Sequence, residues 1–344
     1  MDRKKSHRLR LDWRGCVAFT RARGAGFGSA AGTVRRESPG SWGAVAVARW
    51  KYVAALVVLG VGWGSTQPLG KIAASSGHGP FALIFWQLVI CVVVLGLITG
   101  VRRKGLVLTR RAFGFYVVVA LVGTLVPNAT FYISVARLPA GIMSILISTV
   151  PLMALPLTLA LGLDRFDGKR LLGLVLGLVG VALIALPRAS LPDAGMVAYL
   201  PLALIGPAFY AMEGTFVSRY GMAGMDPVQA MFGASLVGLI LCVPLVVLSG
   251  QWVSPLPPWG KPEAALLLSS GLHALLYAGY VGLAATAGAV FAAQTSYFVT
   301  ASGVCWAMLL LGERFSQWIW LAMAVMLLGL TLVRPRIRSA LVAE

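Results

Sequence analysis

Charged residues are scarce in this chain, which has 29 Lys and Arg and 11 Asp and Glu among 344 residues. This charged fraction of 12% is about half of that in an ordinary soluble domain. The four cysteines are scattered singly, which argues against a disulfide framework or a metal centre. The GxxxxGK sequence of nucleotide-binding loops is also missing, so we predict neither ATP-driven transport nor any other cofactor.

Hydrophobic residues make up 58% of the chain, and its mean hydropathy is +0.85. From residue 52 onward, charged residues interrupt apolar stretches that are long enough to cross a bilayer as helices. We therefore predict an all-α polytopic membrane protein, with a tight turn over residues 285–288 dividing the longest stretch. The ten predicted transmembrane helices are 52–73, 81–101, 113–135, 139–161, 170–187, 197–218, 228–248, 264–284, 288–311 and 316–334.

The basic residues indicate the orientation of these helices. Placing the N-terminus in the cytoplasm puts 24 of the 29 Lys and Arg on the cytoplasmic side and 5 on the other. Such a bias predicts that both termini are cytoplasmic. Twelve of these residues lie in residues 1–51, a basic segment that we expect to be a disordered cytoplasmic tail. Membrane topology therefore accounts for the net charge of +18 without a nucleic-acid partner.

An internal repeat divides the helical part of the chain. The segment Ala140-Gly141 parallels Ala287-Gly288, and Asp164-Arg165-Phe166 parallels Glu313-Arg314-Phe315. We expect these acidic-Arg pairs to stabilise turns and helix starts. Because five helices per repeat is an odd number, the two copies must insert in opposite senses, which is typical of transporters. The predicted repeats are residues 52–187 and 188–334, followed by a short cytoplasmic tail over 335–344.

Three sequence segments resemble a known family. They are "GWGSTQPLGKIA" at 62–73, "LPAGIMSILISTVPLMALPLTLALGLDRF" at 138–166, and "GERF" at 312–315 before the last apolar helix. With the ten helices and the repeat, the chain resembles the EamA-like branch of the drug/metabolite transporter superfamily. The resemblance implies a central cavity, alternating access, and export or exchange of small metabolites, amino acids or drugs. It also implies a multi-pass protein of the cell (inner or plasma) membrane, which we expect to be a monomer or a homodimer.

Glu213 is the sharpest candidate for a functional residue, because it is an acid inside a predicted membrane helix. An ionised carboxylate at mid-membrane costs at least about 2.5–3.5 kcal/mol, so Glu213 should face the bundle interior or a wet cavity. It can bind a substrate amine or a proton, or it can form a structural pair with Arg219. His273, which has a side chain that titrates near neutral pH, is the second candidate for proton coupling.

Polar and aromatic residues within the helices form the rest of the predicted site. Amphipathic rings can line a solute cavity, although they also occur at membrane interfaces and between helices. One acid among many rings favours a neutral, zwitterionic or cationic solute over a multiply anionic one. The predicted substrate-binding residues are Trp63, Gln67, Asn128, Tyr132, Tyr210, Glu213, Tyr277, Gln294 and Tyr297.

Two other classes of function compete with a secondary transporter. A membrane-embedded lipid-modifying enzyme needs a catalytic cluster, and the sequence contains neither HExxH nor GxSxG. A non-transporting membrane scaffold or a channel is the other alternative, although no filter-like loop is evident. We therefore predict a non-enzymatic transporter with a small solute, the bilayer and protons as its partners.

Overall fold

The computed structural model describes residues 39–162, 166–185, 191–254, 256, 258–287, 292 and 294–332. Contacts divide the chain into a unit of residues 1–45 and a unit of residues 46–344. The first unit is described only over residues 39–45, which are helical. The architecture below is that of the second unit, in which every regular element of the described part is helical.

Twelve α-helices make up the described part, with a π-helical stretch (Val119–Leu125) after α3 and a 3₁₀-helix (Ala194–Tyr199) before α8. Eight segments are long and apolar enough to cross a membrane, and two shorter apolar helices, α11 and α12, follow them. The helices are α1 (Pro39–Ala74), α2 (Pro80–Val101), α3 (Arg110–Val118), α4 (Val126–Arg137), α5 (Ala140–Ile147), α6 (Thr149–Ala160), α7 (Gly168–Ala185), α8 (Leu200–Tyr220), α9 (Pro227–Leu248), α10 (Lys261–Ala287), α11 (Thr295–Leu311) and α12 (Gln317–Leu332).

Two sequence predictions need correction. Helix α1 begins at Pro39, so the last part of the segment 1–51 is helical and not a disordered tail. Proline suits the first helical turn, and alanine, which recurs in the residues after it, has the highest helix propensity. The turn predicted over residues 285–288 is also misplaced, because α10 continues through Ala287. Gly288 and the acidic-Arg pair Asp164-Arg165 lie outside the described residues.

Two predicted helices contain local breaks. The span from Arg110 to Arg137 passes through the π-helical stretch and then reaches Pro127, which cannot donate a backbone hydrogen bond. The next span divides into α5 and α6 at Ser148, shortly before Pro151. Both breaks lie beside residues that line the main cavity, Pro127 next to the first and Ile147 and Val150 next to the second.

Corresponding helices of the two halves pack against each other. Helix α2 packs on α9, α5 on α11, and α7 on α12, the most extensive of these contacts. The α7–α12 contact is close because Gly329 faces the backbone of α7, where a Cβ would approach the carbonyl oxygen of Gly173 to 2.7 Å. Small residues allow this approach and let dispersion forces hold the helices together in lipid.

Candidate functional site

A cavity of about 180 Å³ lies among helices of both halves of the bundle. Its walls come from α1, α2, α4, α5 and α6 of the first half and from α8, α10 and α11 of the second. In the part of the chain that the structure describes, the outer pair α7 and α12 contributes no lining residue. The volume holds on the order of ten water molecules or one small solute.

Seven of the nine predicted substrate-binding residues line this cavity, and so does His273. The seven are Trp63, Gln67, Asn128, Tyr132, Tyr210, Glu213 and Tyr277. Gln294 and Tyr297 are not among the lining residues. Helix α11 begins at Thr295 and not at residue 288, so these two residues lie at its start and not in its middle.

Glu213 lies deep in the bundle, with only 6% of its surface exposed. The hydroxyl of Tyr277 in α10 donates a hydrogen bond to its Oε1 atom. No Lys, Arg or His side chain pairs with this carboxylate within the described residues, so the predicted pair with Arg219 is not formed. The acid therefore faces the cavity with a hydroxyl donor as its partner and without a neutralising charge.

Gly123 in the π-helical stretch leaves room for this carboxylate. A Cβ at Gly123 would lie 2.6 Å from Cδ and from Oε1 of Glu213. Both positions are within segments that are long and apolar enough to span a membrane. The absence of a side chain at Gly123 thus allows the carboxylate to pack directly against the backbone of the neighbouring span.

Four aromatic rings form one wall of the cavity next to Glu213. The ring centroid of Trp63 in α1 lies 5.4 Å from Tyr280, 6.0 Å from Tyr277 and 6.2 Å from His273 in α10. His273 and Tyr277 are 5.4 Å apart. We call these four residues the aromatic wall. Tyr277 belongs to it and also bonds Glu213, so the carboxylate lies at the edge of the wall.

Several polar atoms at the cavity have no hydrogen-bond partner within the described residues. They are Oε1 of Gln67, Nδ2 of Asn128 and Oγ1 of Thr295. All three side chains are more than nine-tenths buried, and all three residues line the cavity. Because a buried polar group without a partner costs about 1–3 kcal/mol, these atoms are natural contacts for water or for a bound solute.

Several polar residues outside the predicted substrate-binding set also line the cavity. Gln87 in α2 accepts a hydrogen bond of 2.9 Å from the Tyr132 hydroxyl and so orients that ring. Thr66 and Ser269 also line the cavity, but their hydroxyls bond the carbonyl oxygens of Trp63 and Leu266 in their own helices. Because Ser and Thr commonly do this in any membrane helix, the sequence gives no signal that separates the lining ones.

The fold and the cavity together define a class of protein, a multi-pass helical membrane protein with a central solute-sized cavity. A family model for the EamA-like transporter family matches residues 50–186 and again residues 198–334. The two matches cover most of the sequence, so the chain belongs to the EamA-like transporter family and contains two copies of its repeat.

Solved structures support the same fold. Fourteen chains match, and one of them, described only as "Crystal structure of protein", has a TM-score of 0.57 and 14% identity. The alignment covers 83% of this chain and 98% of the other. This likeness concerns the fold alone. No significant match is found among curated proteins.

Proposed function

We propose that this chain is a secondary transporter that exports or exchanges a small metabolite, amino acid or drug-like solute by alternating access. The observation that carries the proposal is the cavity between the two halves, with three buried polar atoms that have no partner in the described part of the chain. Solute sites of repeat-built transporters lie near the bilayer midplane between the halves. Membership of a transporter family favours this function over a lipid-modifying enzyme or a scaffold.

The topology that goes with this function has ten crossings and both termini in the cytoplasm of a cell-membrane protein. The charge bias of 24 to 5 supports the orientation. The shorter helices α11 and α12 have 17 and 16 residues, close to the lower limit for a tilted or locally thinned crossing. The packing of α2 on α9 and of α7 on α12 fits two inverted repeats, residues 52–187 and 188–334.

The proposed solute site consists of the seven predicted substrate-binding residues that line the cavity. Glu213 and His273 are its candidates for proton coupling, because both have titratable side chains at the cavity. A coupling group must change its protonation state as access alternates between the two sides. Glu213, which has no cationic partner among the described residues, is the stronger of the two candidates.

Reconstituted vesicles test the proposal. The full chain is purified, placed in liposomes, and assayed for counterflow of amino acids, metabolites and drug-like cations, with and without an imposed pH gradient. Saturable flux above that of empty liposomes, reduced by Glu213→Gln but not by Glu263→Gln, is the expected result. Glu263 is a suitable control because it lies at the start of α10, outside the cavity. If no solute moves faster than through empty liposomes, the protein is not a transporter of these solutes.

A further inference from the structure

The wall of the cavity carries an acidic side chain without a strongly basic one to balance it in the described part of the chain. Glu213 is the one acidic residue on its wall, and neither Lys nor Arg lines it among the described residues. A carboxylate that is buried without a cationic partner must take up a proton or meet a cation from outside the protein. The Tyr277 hydroxyl donates one hydrogen bond to Oε1 but brings no positive charge.

Divalent metal cations are poor candidates for this place. Calcium and magnesium require several oxygen ligands, often two or more of them carboxylates. Within the described residues there is no group of three or more His, Cys, Asp or Glu side chains that could hold a metal ion. Glu213 instead has aromatic rings beside it, which suit a weakly hydrated organic cation.

The aromatic wall extends directly from the carboxylate. Tyr277 bonds Glu213 through its hydroxyl, and its ring lies 6.0 Å from that of Trp63. The ring centroid of Tyr280, in the same helix as Tyr277, lies 5.4 Å from that of Trp63. Aromatic faces attract ammonium groups through their quadrupoles, and Trp does so most strongly. A carboxylate next to such rings therefore attracts one positive charge and gives its apolar substituents a surface to pack on.

We propose that the cavity binds a monovalent organic ammonium, with its charged group at Glu213 and its apolar part against the aromatic wall. This proposal rests on the proposed transport function and narrows its solute to one chemical class. Binding itself, however, can be measured without transport. The two proposals can therefore fail separately.

Three probes that share a benzyl group and differ in charge test the chemical class: benzyltrimethylammonium, benzyl alcohol and benzylsulfonate. Calorimetry on the full chain in lipid nanodiscs measures their binding. We expect the wild-type protein to bind the ammonium about tenfold more tightly than the other two. Equal or tighter binding of the alcohol or the sulfonate would overturn the proposal, and so would the absence of saturable ammonium binding.

Variants locate the site. Glu213→Gln should weaken ammonium binding about tenfold and leave benzyl alcohol unchanged, whereas Glu263→Gln should change neither. Trp63→Leu should weaken the ammonium selectively, with Trp320→Leu, at an exposed position in α12, as its control. Equal losses for all three probes would indicate a merely structural role and contradict the assignment. If Glu213→Gln does not fold, Tyr277→Phe, which lacks the hydroxyl that bonds Glu213, replaces it in the binding measurements. The preference of the wild-type protein for the ammonium probe also remains as a test of the ammonium site.

Counterflow of the same ammonium in liposomes separates the two proposals. Selective binding without flux would support the ammonium site and contradict transport of this probe. Flux of neutral or anionic solutes, without selective ammonium binding, would support transport and overturn the ammonium site.

Discussion

The carboxylate of Glu313 caps a helix that begins 173 residues earlier, accepting a hydrogen bond of 2.7 Å from the backbone N–H of Ala140. Its second oxygen accepts another of 3.0 Å from Gly141. The N-terminus of α5 offers unpaired N–H groups and the positive end of the helix dipole, so an anion is favourable there. Glu313 follows α11 in the second half, and it thereby ties the two halves of the bundle together.

Lys71 acts on the other side of the same turn. Its Nζ donates hydrogen bonds of 2.6 Å to the carbonyl oxygen of Leu138 and 3.0 Å to that of Val135, at the end of α4. A cation is favourable at a helix C-terminus. The short connection between α4 and α5 is thus fixed by a cation from α1 and an anion from the segment after α11.

Removing the charge of Glu313 should destabilise the fold. Glu313→Gln keeps one acceptor oxygen but loses the carboxylate, and we expect a loss of about 1–2 kcal/mol in the free energy of unfolding. Thermal unfolding in detergent measures the effect. Asp193→Asn is the control, since Asp193 caps only its local 3₁₀-helix through Gly195 and asparagine caps equally well. An unchanged unfolding temperature in Glu313→Gln would show that this cap is energetically unimportant.

Asp226 is the centre of a second charged cluster, outside the membrane spans. It caps α9 through the N–H groups of Val228 and Gln229, and it pairs with Lys104 at 2.6 Å and Arg102 at 3.2 Å. Desolvation opposes ionisation of its carboxyl, but the hydrogen bonds and the two cations outweigh it and hold the pKa of Asp226 below its usual value. The ionised form is therefore the one that stabilises the folded protein.

This lowered pKa predicts how stability depends on pH. A carboxyl whose pKa is lower in the folded state contributes its full stabilisation above the unfolded value of about 3.9. That contribution is lost as the pH falls through the folded pKa. We expect Asp226→Asn to be less stable than wild type at neutral pH and to approach it below about pH 4. Unfolding temperatures measured across pH check this, and a difference that grows towards acid pH would contradict it.

The orientation can be tested by labelling cysteines from one side of the membrane. Ser254 and Lys169 are both exposed, after α9 and at the start of α7 respectively. In a background without native cysteines, an impermeant maleimide applied to intact cells should label Ser254→Cys directly. Lys169→Cys should react only after permeabilisation. The opposite pattern would show that the termini are not cytoplasmic.

The sequence predicts the helices better than it predicts their interruptions. Charged residues bound the apolar stretches, so most helix limits follow within a few residues. Pro127 and Pro151 follow the π-helical stretch and the break at Ser148, but a proline alone does not indicate whether a helix kinks, divides or takes π-helical form. Glu213 could be predicted as an interior residue because an ionised side chain is costly in lipid.

The positions of single site residues depend on where each helix starts. Gln294 and Tyr297 fall inside the predicted helix 288–311, but α11 begins only at Thr295, which places both residues at its N-terminus. Glu313 was predicted, together with Arg314, to stabilise a turn and a helix start, but the sequence did not indicate that the helix would be the one beginning at Ala140. Its partner lies in the other half of the chain, and no local sequence pattern identifies such a contact.

Gly123 should control the position of Glu213 without being needed for folding. In Gly123→Ala, the new Cβ would lie 2.6 Å from the carboxylate carbon, so the carboxylate must move. The side chain of Glu213 is flexible, and the helix can therefore form normally. Movement of the carboxylate should disturb its hydrogen bond with Tyr277 and weaken benzyltrimethylammonium binding about tenfold, with a similar loss of solute flux.

Gly114→Ala is the matched control for this prediction, because it makes the same change in the same membrane span. A Cβ at Gly114 meets no atom within 4 Å, so binding and flux should be unchanged and the helix slightly more stable. Size-exclusion profiles and unfolding temperatures verify that both variants fold. If Gly123→Ala folds and binds the ammonium like wild type, the contact between Gly123 and Glu213 does not position the carboxylate. If Gly114→Ala is equally impaired, the loss reflects alanine in this span and not the displaced acid.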